Sequence, residues 1–250
     1  MKKIQMTVVQ IDNYGPWTVT PEPKREAELQ HLQADLFAKL SLMFGELKGL
    51  IFLARHDNMI GITNGISLDD HREIQKKIAR DFPVTVSMGV GTGWTAYEAL
   101  VAASLALQAC GSSRAPERKG ALGGRVVEKP DEDFVQIVHM DINHSTLLTD
   151  AQPIYDTHLL IQRAYLSLAR LLLEKKAVVL YAGGDNFIAA ANGVTEAEIS
   201  EVLMNVKRET GVELKAGIGA GATAEEAAKR AAQALQEIRR ENNRRRIAVR

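Results

Sequence analysis

Four aspartates stand where they could bind a divalent cation. Asp12 and Asp141 each end an apolar run, and Asp57 and Asp185 each lie in a short polar turn between two apolar runs. Adjacent carboxylates repel one another unless a cation lies between them, and Mg²⁺ in proteins is commonly held by one or two carboxylates together with substrate phosphates. The pattern predicts a magnesium–phosphate site at Asp12 with Asp57 and at Asp141 with Asp185. For any one aspartate alone, a turn cap is the alternative.

Other groups beside the acids suit a nucleotide. The loop after Asp141 keeps every backbone N–H and adds hydroxyls, which suits phosphates, whereas the loop after Asp12 contains a proline, which lacks an N–H. Tyr14 and Trp17 in that loop are either stacking partners for a base or packing residues. The glycines of the second hairpin allow close approach of a ligand or simply form the turn. The candidate binding residues are Asn13, Tyr14, Trp17, Asn58, Asn143, Ser145, Thr146, Gly183, Gly184 and Asn186.

The histidines and the cysteine limit the chemistry further. The six histidines form no H-x-x-x-H or Cys–His cluster, so the sequence does not predict a zinc site. His139, His144 and His56 lie nearest to the aspartates and are the candidates for a general base. A single cysteine, Cys110, excludes a disulfide within the chain.

The sequence contains an internal repeat. A shift of 128 aligns residues 56–65 with 184–193, with five of ten identical, and residues 85–99 with 213–227, with seven of fifteen identical. A shift of 129 then aligns Asp12 with Asp141. Agreement of three segments in order and spacing predicts two copies of one fold.

Hydrophobic periodicity and capping residues predict the elements of each copy. We expect strands at 4–11, 49–55, 59–63 and 84–90 with helices at 24–44, 68–81 and 96–109, and then strands at 134–140, 177–182, 187–191 and 212–218 with helices at 154–175, after Thr195 and after Thr223. The fold class is therefore α+β, with two tandem ferredoxin-like, or palm (βαββαβ), domains and an added helix in each. Right-handed crossovers give the strand order 4-1-3-2, which sets the end of strand 1 beside the hairpin.

Composition sets the domain boundaries. Residues 111–133 are rich in Gly, Ser, Pro and mixed charge, which predicts a linker between domains at 1–110 and 134–250, with a short edge strand at 125–128. The basic tail at 239–250 is predicted to fray as a charged helix end.

Overall composition excludes several classes of protein. Hydrophobic residues make up 46% and charged residues 25%, which is typical of a folded globular protein. The formal net charge is zero, so we expect neither nucleic acid nor a membrane surface as a partner. The apolar runs are too short to span a bilayer and no signal-peptide core follows Met1, which favours the cytoplasm.

Five motifs are distributed over nearly the whole chain: QIDNYGPWT (10–18), HDNMIGITNG (56–65), HMDIN (139–143), GGDNF (183–187) and LKAGIGAGATAEEA (214–227). Through these motifs the sequence resembles the archaeal-type GTP cyclohydrolase III family. The resemblance implies hydrolysis of GTP that depends on Mg²⁺, with two ions, opening of the guanine imidazole ring with the formyl group retained, a formylaminopyrimidine ribonucleotide monophosphate as product and release of two phosphates. It also implies stimulation by a monovalent cation such as K⁺, and a homo-oligomer.

Two alternatives remain at this point. One is a nucleotidyl or diguanylate cyclase on the same palm scaffold, although Asn58 and Asn186 stand where the GGDEF group has an acidic residue. The other is a catalytically silent nucleotide-sensing module. The sequence does not decide which half holds the metals, which group is the general base, which residues bind the monovalent ion or select guanine, or how many subunits assemble.

Overall fold

A computed structural model describes residues 2–143, 150–240 and 246–250 of the chain. It divides into two compact units, each containing one five-stranded sheet. The first unit comprises residues 1–94, 98–133 and 223–225, and the second comprises residues 95–97, 134–222 and 226–250. His144, Ser145 and Thr146 lie outside the described residues.

The first half of the chain forms a sheet with the strand order β2-β3-β1-β4-β5. Because β1 pairs antiparallel with both β3 and β4, the predicted order 4-1-3-2 is confirmed, with one strand added at the edge. The elements are β1 (Ile4–Ile11), α1 (Tyr14–Val19), α2 (Glu26–Glu46), β2 (Leu50–Arg55), β3 (Asn58–Ile62), α3 (Leu68–Asp81), β4 (Val86–Gly93), α4 (Ala96–Ala109) and β5 (Leu122–Gly124), followed by a 3₁₀ turn at Pro130–Glu132.

The added strand does not lie where the sequence predicts it. The prediction placed it at 125–128, on the β-branched residues, whereas β5 occupies Leu122–Gly124 and pairs parallel with β4. The strand forms at the glycines because only they allow its backbone to lie so close to β4 and α4. A Cβ on Gly124 would lie 1.8 Å from the Val90 carbonyl oxygen, and a Cβ on Gly123 would lie 2.7 Å from the Ala106 carbonyl oxygen. The segment 111–133 thus extends the first sheet and contributes the buried Arg118.

The second half of the chain repeats the architecture with the order β10-β9-β6-β8-β7. Its elements are β6 (Val135–Ile142), α5 (Ile154–Glu174), β7 (Val178–Gly183), β8 (Asn186–Ala190), α6 (Glu196–Thr210), β9 (Leu214–Gly221), α7 (Ala224–Arg240) and β10 (Ile247–Val249). The predicted fraying of residues 239–250 is wrong for the last residues of this segment, because they form β10, which pairs parallel with β9. Its Ile247 and Ala248 are 9% and 5% exposed, so this short apolar segment is fixed by burial.

Each sheet has one face covered by two long helices. In the first unit, Val9 and Ile11 of β1 are buried in the same cluster as side chains of α2 and α3. The opposite face packs against α4, because Gly91 lets the backbone of α4 approach so closely that a Cβ would lie 2.2 Å from the Ala103 nitrogen. Gly219 does the same for α7 in the second unit. Alternate residues of β1 and β6 therefore face either the helical core or the face beside α4 or α7.

Strand pairing corrects one step of the repeat alignment. Ile11 pairs with Val86 and Ile142 pairs with Leu214. Since Val86 and Leu214 correspond at a shift of 128, β1 and β6 correspond at a shift of 131, not 129. The structural counterpart of Asp141 is Gln10, and the alignment of Asp12 with Asp141 is wrong.

Two glutamines verify the corrected correspondence. The backbone N–H of Gln5 donates to Asn64 Oδ1 at 2.8 Å, and that of Gln136 donates to Asn192 Oδ1 at 3.0 Å. Each glutamine side chain then donates to the backbone of the loop that contains its asparagine. The shorter spacing between the first strand and the hairpin in the second half hides this correspondence from an ungapped alignment.

Among the described residues, no helix is both long enough and apolar enough to cross a membrane.

Candidate active site

Asp141 and Asp185 come together in the second unit. Asp141 lies near the end of β6, directly opposite Asn186 of β8, and Asp185 precedes Asn186 in the hairpin turn. The two carboxyl groups lie close enough for Asp185 to help lower the pKa of Asp141, and Asp141 is only 4% exposed. Carboxyl groups this close share a proton or a cation, because two unscreened negative charges would repel.

Two basic side chains converge on Asp141. Lys215 Nζ of β9 lies 3.3 Å from Asp141 Oδ2, and Arg239 of α7 forms an ion pair with the same oxygen. Burial alone raises the pKa of Asp141, but the hydrogen bonds with Arg239 and Asp185 and the charge of Lys215 together outweigh it, so the net pKa lies below its usual value. Asp141 is therefore anionic at neutral pH and is paired with the two basic groups beside it.

His139 is oriented by the same hairpin. Its Nε2 lies 3.0 Å from Asn186 Oδ1, and Asn186 Nδ2 donates to Asp185 Oδ1 at 3.0 Å. The carboxylate accepts from the Asn186 amide nitrogen, so the Asn186 oxygen faces the imidazole and His139 Nε2 is the donor. The neutral ring then carries its lone pair on Nδ1, which is the nitrogen able to accept a proton.

Asn143 adds an unpaired oxygen two residues beyond Asp141. Its backbone N–H donates to the Glu213 carbonyl at 2.8 Å, but its buried Oδ1 has no hydrogen-bond partner within the described part of the chain. Unpaired buried oxygens are costly unless a ligand satisfies them. An amide oxygen is an accepted ligand for hard cations.

The hairpin glycines are required by backbone conformation. Gly183 and Gly184 have φ values of 103° and 61°, which side chains rarely adopt, and a Cβ on either would meet nothing within 4 Å. Both therefore serve the turn that presents Asp185. Close approach of a ligand to this backbone stays a prediction.

In the first unit, Asp12 is held entirely by protein donors. Its Oδ1 accepts from Ser87 Oγ at 2.6 Å and Arg118 Nε at 3.0 Å, and its Oδ2 accepts from Thr85 Oγ1 and the Gly120 N–H, both at 2.8 Å. A carboxylate offers about four acceptor positions. All are used here, so Asp12 as arranged does not fit a metal ion.

Asp57 is also paired within its own unit. Its carboxylate lies 2.9 Å from Arg55 Nη2, and the neighbouring His56 is exposed in the turn. Asn58 accepts from Gln10 Nε2 at 2.9 Å, and Gln10 in turn accepts from Arg118. The first hairpin thus lacks the contact between acids that the second one has.

The aromatic residues after β1 pack on the protein. The rings of Tyr14 and Trp17 stack with centroids 6.1 Å apart, and both pack against the core formed with α2. The Tyr14 hydroxyl accepts from Gln33 at 2.6 Å, and Lys24 Nζ lies 4.4 Å from the centroid of the Trp17 ring. Asn13 precedes them with φ 52° and a buried Oδ1 that has no partner among the described residues. Both rings therefore pack on the protein, and stacking of either ring on a base stays a prediction.

Comparison with known proteins gives the family. The sequence model described as GTP cyclohydrolase III matches residues 6–250. GTP cyclohydrolase III of Methanothermobacter thermautotrophicus is 48% identical over 239 residues, 94% of each chain, and that of Methanocaldococcus jannaschii is 47% identical over 237 residues, 94% of this chain and 88% of the relative. This chain belongs to the GTP cyclohydrolase III family. Its membership confirms the resemblance drawn from the sequence motifs.

Two solved structures that are similar to this GTP cyclohydrolase III family chain each match about half of it. The GGDEF domain of DgcB from Caulobacter crescentus, in complex with c-di-GMP, has a TM-score of 0.41 and 14% identity, covering 48% of this chain and 79% of that one. A bacterial light-regulated adenylyl cyclase has a TM-score of 0.40, covering 47% of this chain and 75% of that one.

The donor set of the second unit fits a divalent cation in this family member. No group of three or more His, Cys, Asp and Glu side chains that could hold a metal occurs among residues 2–143, 150–240 and 246–250. A Mg²⁺ site does not need three such side chains, since Mg²⁺ is commonly held by one or two carboxylates plus water and phosphate oxygens. Asp141 and Asp185, with the unpaired Asn143 oxygen nearby in sequence, meet that requirement, and Asp12 and Asp57 do not.

Three basic residues of the two polar clusters were missed by sequence reasoning. Lys215 interrupts an apolar strand, and a charge at such a position signals a buried partner. Arg239 was assigned to a fraying tail and Arg118 to a linker, because both lie in segments of high charge. Neither segment carries a periodic pattern that would have identified them.

Proposed function

We propose that this chain hydrolyses GTP in a Mg²⁺-dependent reaction centred on Asp141 and Asp185 of the second unit. The observation that carries the proposal is the contact between these two carboxyl groups beside Lys215 and Arg239. An acid pair can hold a divalent cation, and adjacent basic groups can bind the phosphates that accompany it.

The side chains have distinct roles in this proposal. Lys215 and Arg239 neutralise the triphosphate, and Arg239, whose side chain is 45% exposed, is free to move from Asp141 to a phosphate. Mg²⁺, when bound, supplies charge neutralisation and an activated water. His139 accepts a proton at Nδ1, because Asn186 holds its Nε2–H. Asn143 offers its unpaired oxygen to a cation.

The resemblance to the family supports the finer part of the proposal. We propose that the imidazole ring of guanine is opened with the formyl group retained, that the product is 2-amino-5-formylamino-6-(5-phosphoribosylamino)pyrimidin-4(3H)-one, and that two phosphates are released. Two Mg²⁺ ions, a monovalent cation such as K⁺ and a homo-oligomeric assembly belong to the same proposal.

One experiment tests the reaction. The protein is incubated with GTP and Mg²⁺ while the ultraviolet spectrum and released phosphate are recorded. Ring opening changes the purine absorbance, and about two phosphates appear per GTP, as the proposal requires. Release of pyrophosphate with an intact purine spectrum would instead identify a cyclase, and no change in either would identify a sensing module. Addition of EDTA is expected to stop the reaction.

A further inference from the structure

The first unit contains a cavity of about 490 Å³ between α3 and the segment that leads into β5. Arg72, Lys76 and Ala79 of α3 line one side of it, and Lys119 and Leu122 line the other. All of its lining residues belong to the first unit. Its volume is in the range of sites that bind small molecules.

The charged side chains that line this cavity are all basic. Arg72 Nη1 lies 2.7 Å from Asp69 Oδ1, and Lys76 Nζ lies 2.6 Å from Glu73 Oε1. Both acids lie outside the lining, and exposed ion pairs of this kind contribute little to stability, so a bound anion can replace them. Lys119 forms no ion pair with any residue that the structure describes. Three cations beside two carboxylates leave one net positive charge, which suits a monoanion.

A buried amide in the wall of the cavity has an oxygen without a partner. Gln75 of α3 is 6% exposed, and its Nε2 donates to the carbonyl oxygens of Val86 and Ala121, both at 2.9 Å. Both amide hydrogens are used in this way, and Oε1 accepts no hydrogen bond within the described part of the chain. Oε1 is not one of the fully enclosed unpaired atoms, so a hydroxyl or N–H group of a ligand can reach it. An acceptor left unpaired at a buried site is costly, and such a ligand would remove that cost.

The rest of the lining is apolar. It consists of the Ala79 methyl group, the Leu122 side chain and the carbon stems of the long basic side chains. An apolar wall disfavours a doubly charged group more than a singly charged one, because the cost of removing an ion from water rises with its charge. A carboxylate on an apolar ring therefore fits this cavity better than a phosphate.

We propose that this cavity is a second binding site, for a small organic monocarboxylate that carries an apolar ring and an N–H or O–H donor. Its carboxylate contacts Arg72 and Lys119, its ring lies against Ala79 and Leu122, and its donor bonds to Gln75 Oε1. The site is separate from the acid pair of the second unit, and binding to it does not depend on the reaction proposed there.

Titration of the full chain with indole-3-acetate in EDTA, followed by ligand-observed NMR, tests the proposal. This probe has one carboxylate, one flat apolar ring and one N–H. We expect saturable binding with a Kd of about 1 mM, which is typical for a ligand of this size. The analogue 1-methylindole-3-acetate lacks the N–H and should bind about tenfold more weakly, because the Gln75 oxygen then stays unpaired. Inorganic phosphate at the same concentration should not displace the probe.

Two variants with matched controls locate the binding. Ala79→Phe fills the cavity and should abolish binding, whereas Ala38→Phe, at an exposed position of α2 outside the lining, should bind like wild type. Arg72→Gln removes a lining cation and should weaken binding about threefold, whereas Arg80→Gln, also on α3 but outside the lining, should have no effect. Circular dichroism checks the fold of all four variants.

Several results would overturn the proposal. They are failure of wild type to bind the probe, unchanged binding after N-methylation or in Ala79→Phe, and equal binding by Arg72→Gln and Arg80→Gln. Displacement of the probe by phosphate would show a phosphate site instead. Loss of GTP turnover in a folded Ala79→Phe would also overturn the proposal, since the cavity would then belong to the catalytic site.

Discussion

Replacement of Arg118 by methionine should destabilise the first unit strongly. The Arg118 and Asp12 side chains are 3% and 2% exposed, and Arg118 also bonds Gln10 and the Gly111 carbonyl. Breaking a buried ion pair by removing one partner costs about 3–5 kcal/mol, because the other charge stays buried. Asp12 retains three donors from Thr85, Ser87 and Gly120, so we expect the lower end, about 3 kcal/mol.

Tryptophan fluorescence makes this measurement specific. The chain has two tryptophans, Trp17 and Trp94, and both belong to the first unit. Urea unfolding followed by their emission therefore reports on that unit. The matched control is Arg55→Met, since the Arg55 side chain is 69% exposed and its pair with Asp57 should contribute less than about 1 kcal/mol. Equal unfolding midpoints for Arg118→Met and Arg55→Met would refute the assignment of Arg118 as a buried structural partner.

Two further predictions concern stability. His71 is fully buried, its Nδ1–H donates to Ser67, and burial lowers its pKa below 6.5. The unfolded state binds the proton more readily, so the unfolding free energy of the first unit should fall as pH drops below 6.5, by up to about 1.4 kcal/mol per pH unit; a flat profile by tryptophan fluorescence would contradict this. Gly217→Ala would place a Cβ 2.1 Å from the Ala231 carbonyl oxygen and should cost about 3 kcal/mol, whereas Gly45→Ala, with nothing within 4 Å, should stabilise by about 0.5–1 kcal/mol in thermal unfolding followed by circular dichroism. Equal melting temperatures for these two variants would count against the close packing of β9 on α7.

The fold was predictable because its signals are local. Repeated Gly-rich strands, helical spacing of leucines and the capping boxes at Ser67 and Thr195 each act within one element. The strand order then follows from the handedness of the crossovers. Strand β5 was misplaced and strand β10 was missed, because a three-residue strand carries no period and only its long-range partner decides where it forms.

The contact between Asp141 and Asp185 in the second unit was predictable from the sequence. The different environment of Asp12 and Asp57 in the first unit was not. In both the predicted and the observed topology, Asp141 lies near the end of β6 and Asp185 in the hairpin beside it. The predicted equivalence of Asp12 with Asp141 failed because side-chain identity suggested a register that strand pairing does not adopt. Arg118, far away in sequence, then makes Asp12 a structural residue, and no local pattern announces such a contact.

The most direct test of the central claim compares the two hairpin acids. GTP turnover with Mg²⁺ is measured for Asp185→Asn and for the counterpart Asp57→Asn, with phosphate release as the readout. Loss of a ligand that stabilises several kcal/mol of transition-state charge predicts a decrease of about 100-fold or more for Asp185→Asn. Asp57→Asn, which changes only a pair with Arg55, should keep turnover within about twofold of wild type, in line with the small value of exposed ion pairs. The account would be contradicted if Asp185→Asn retained wild-type turnover, or if Asp57→Asn lost as much.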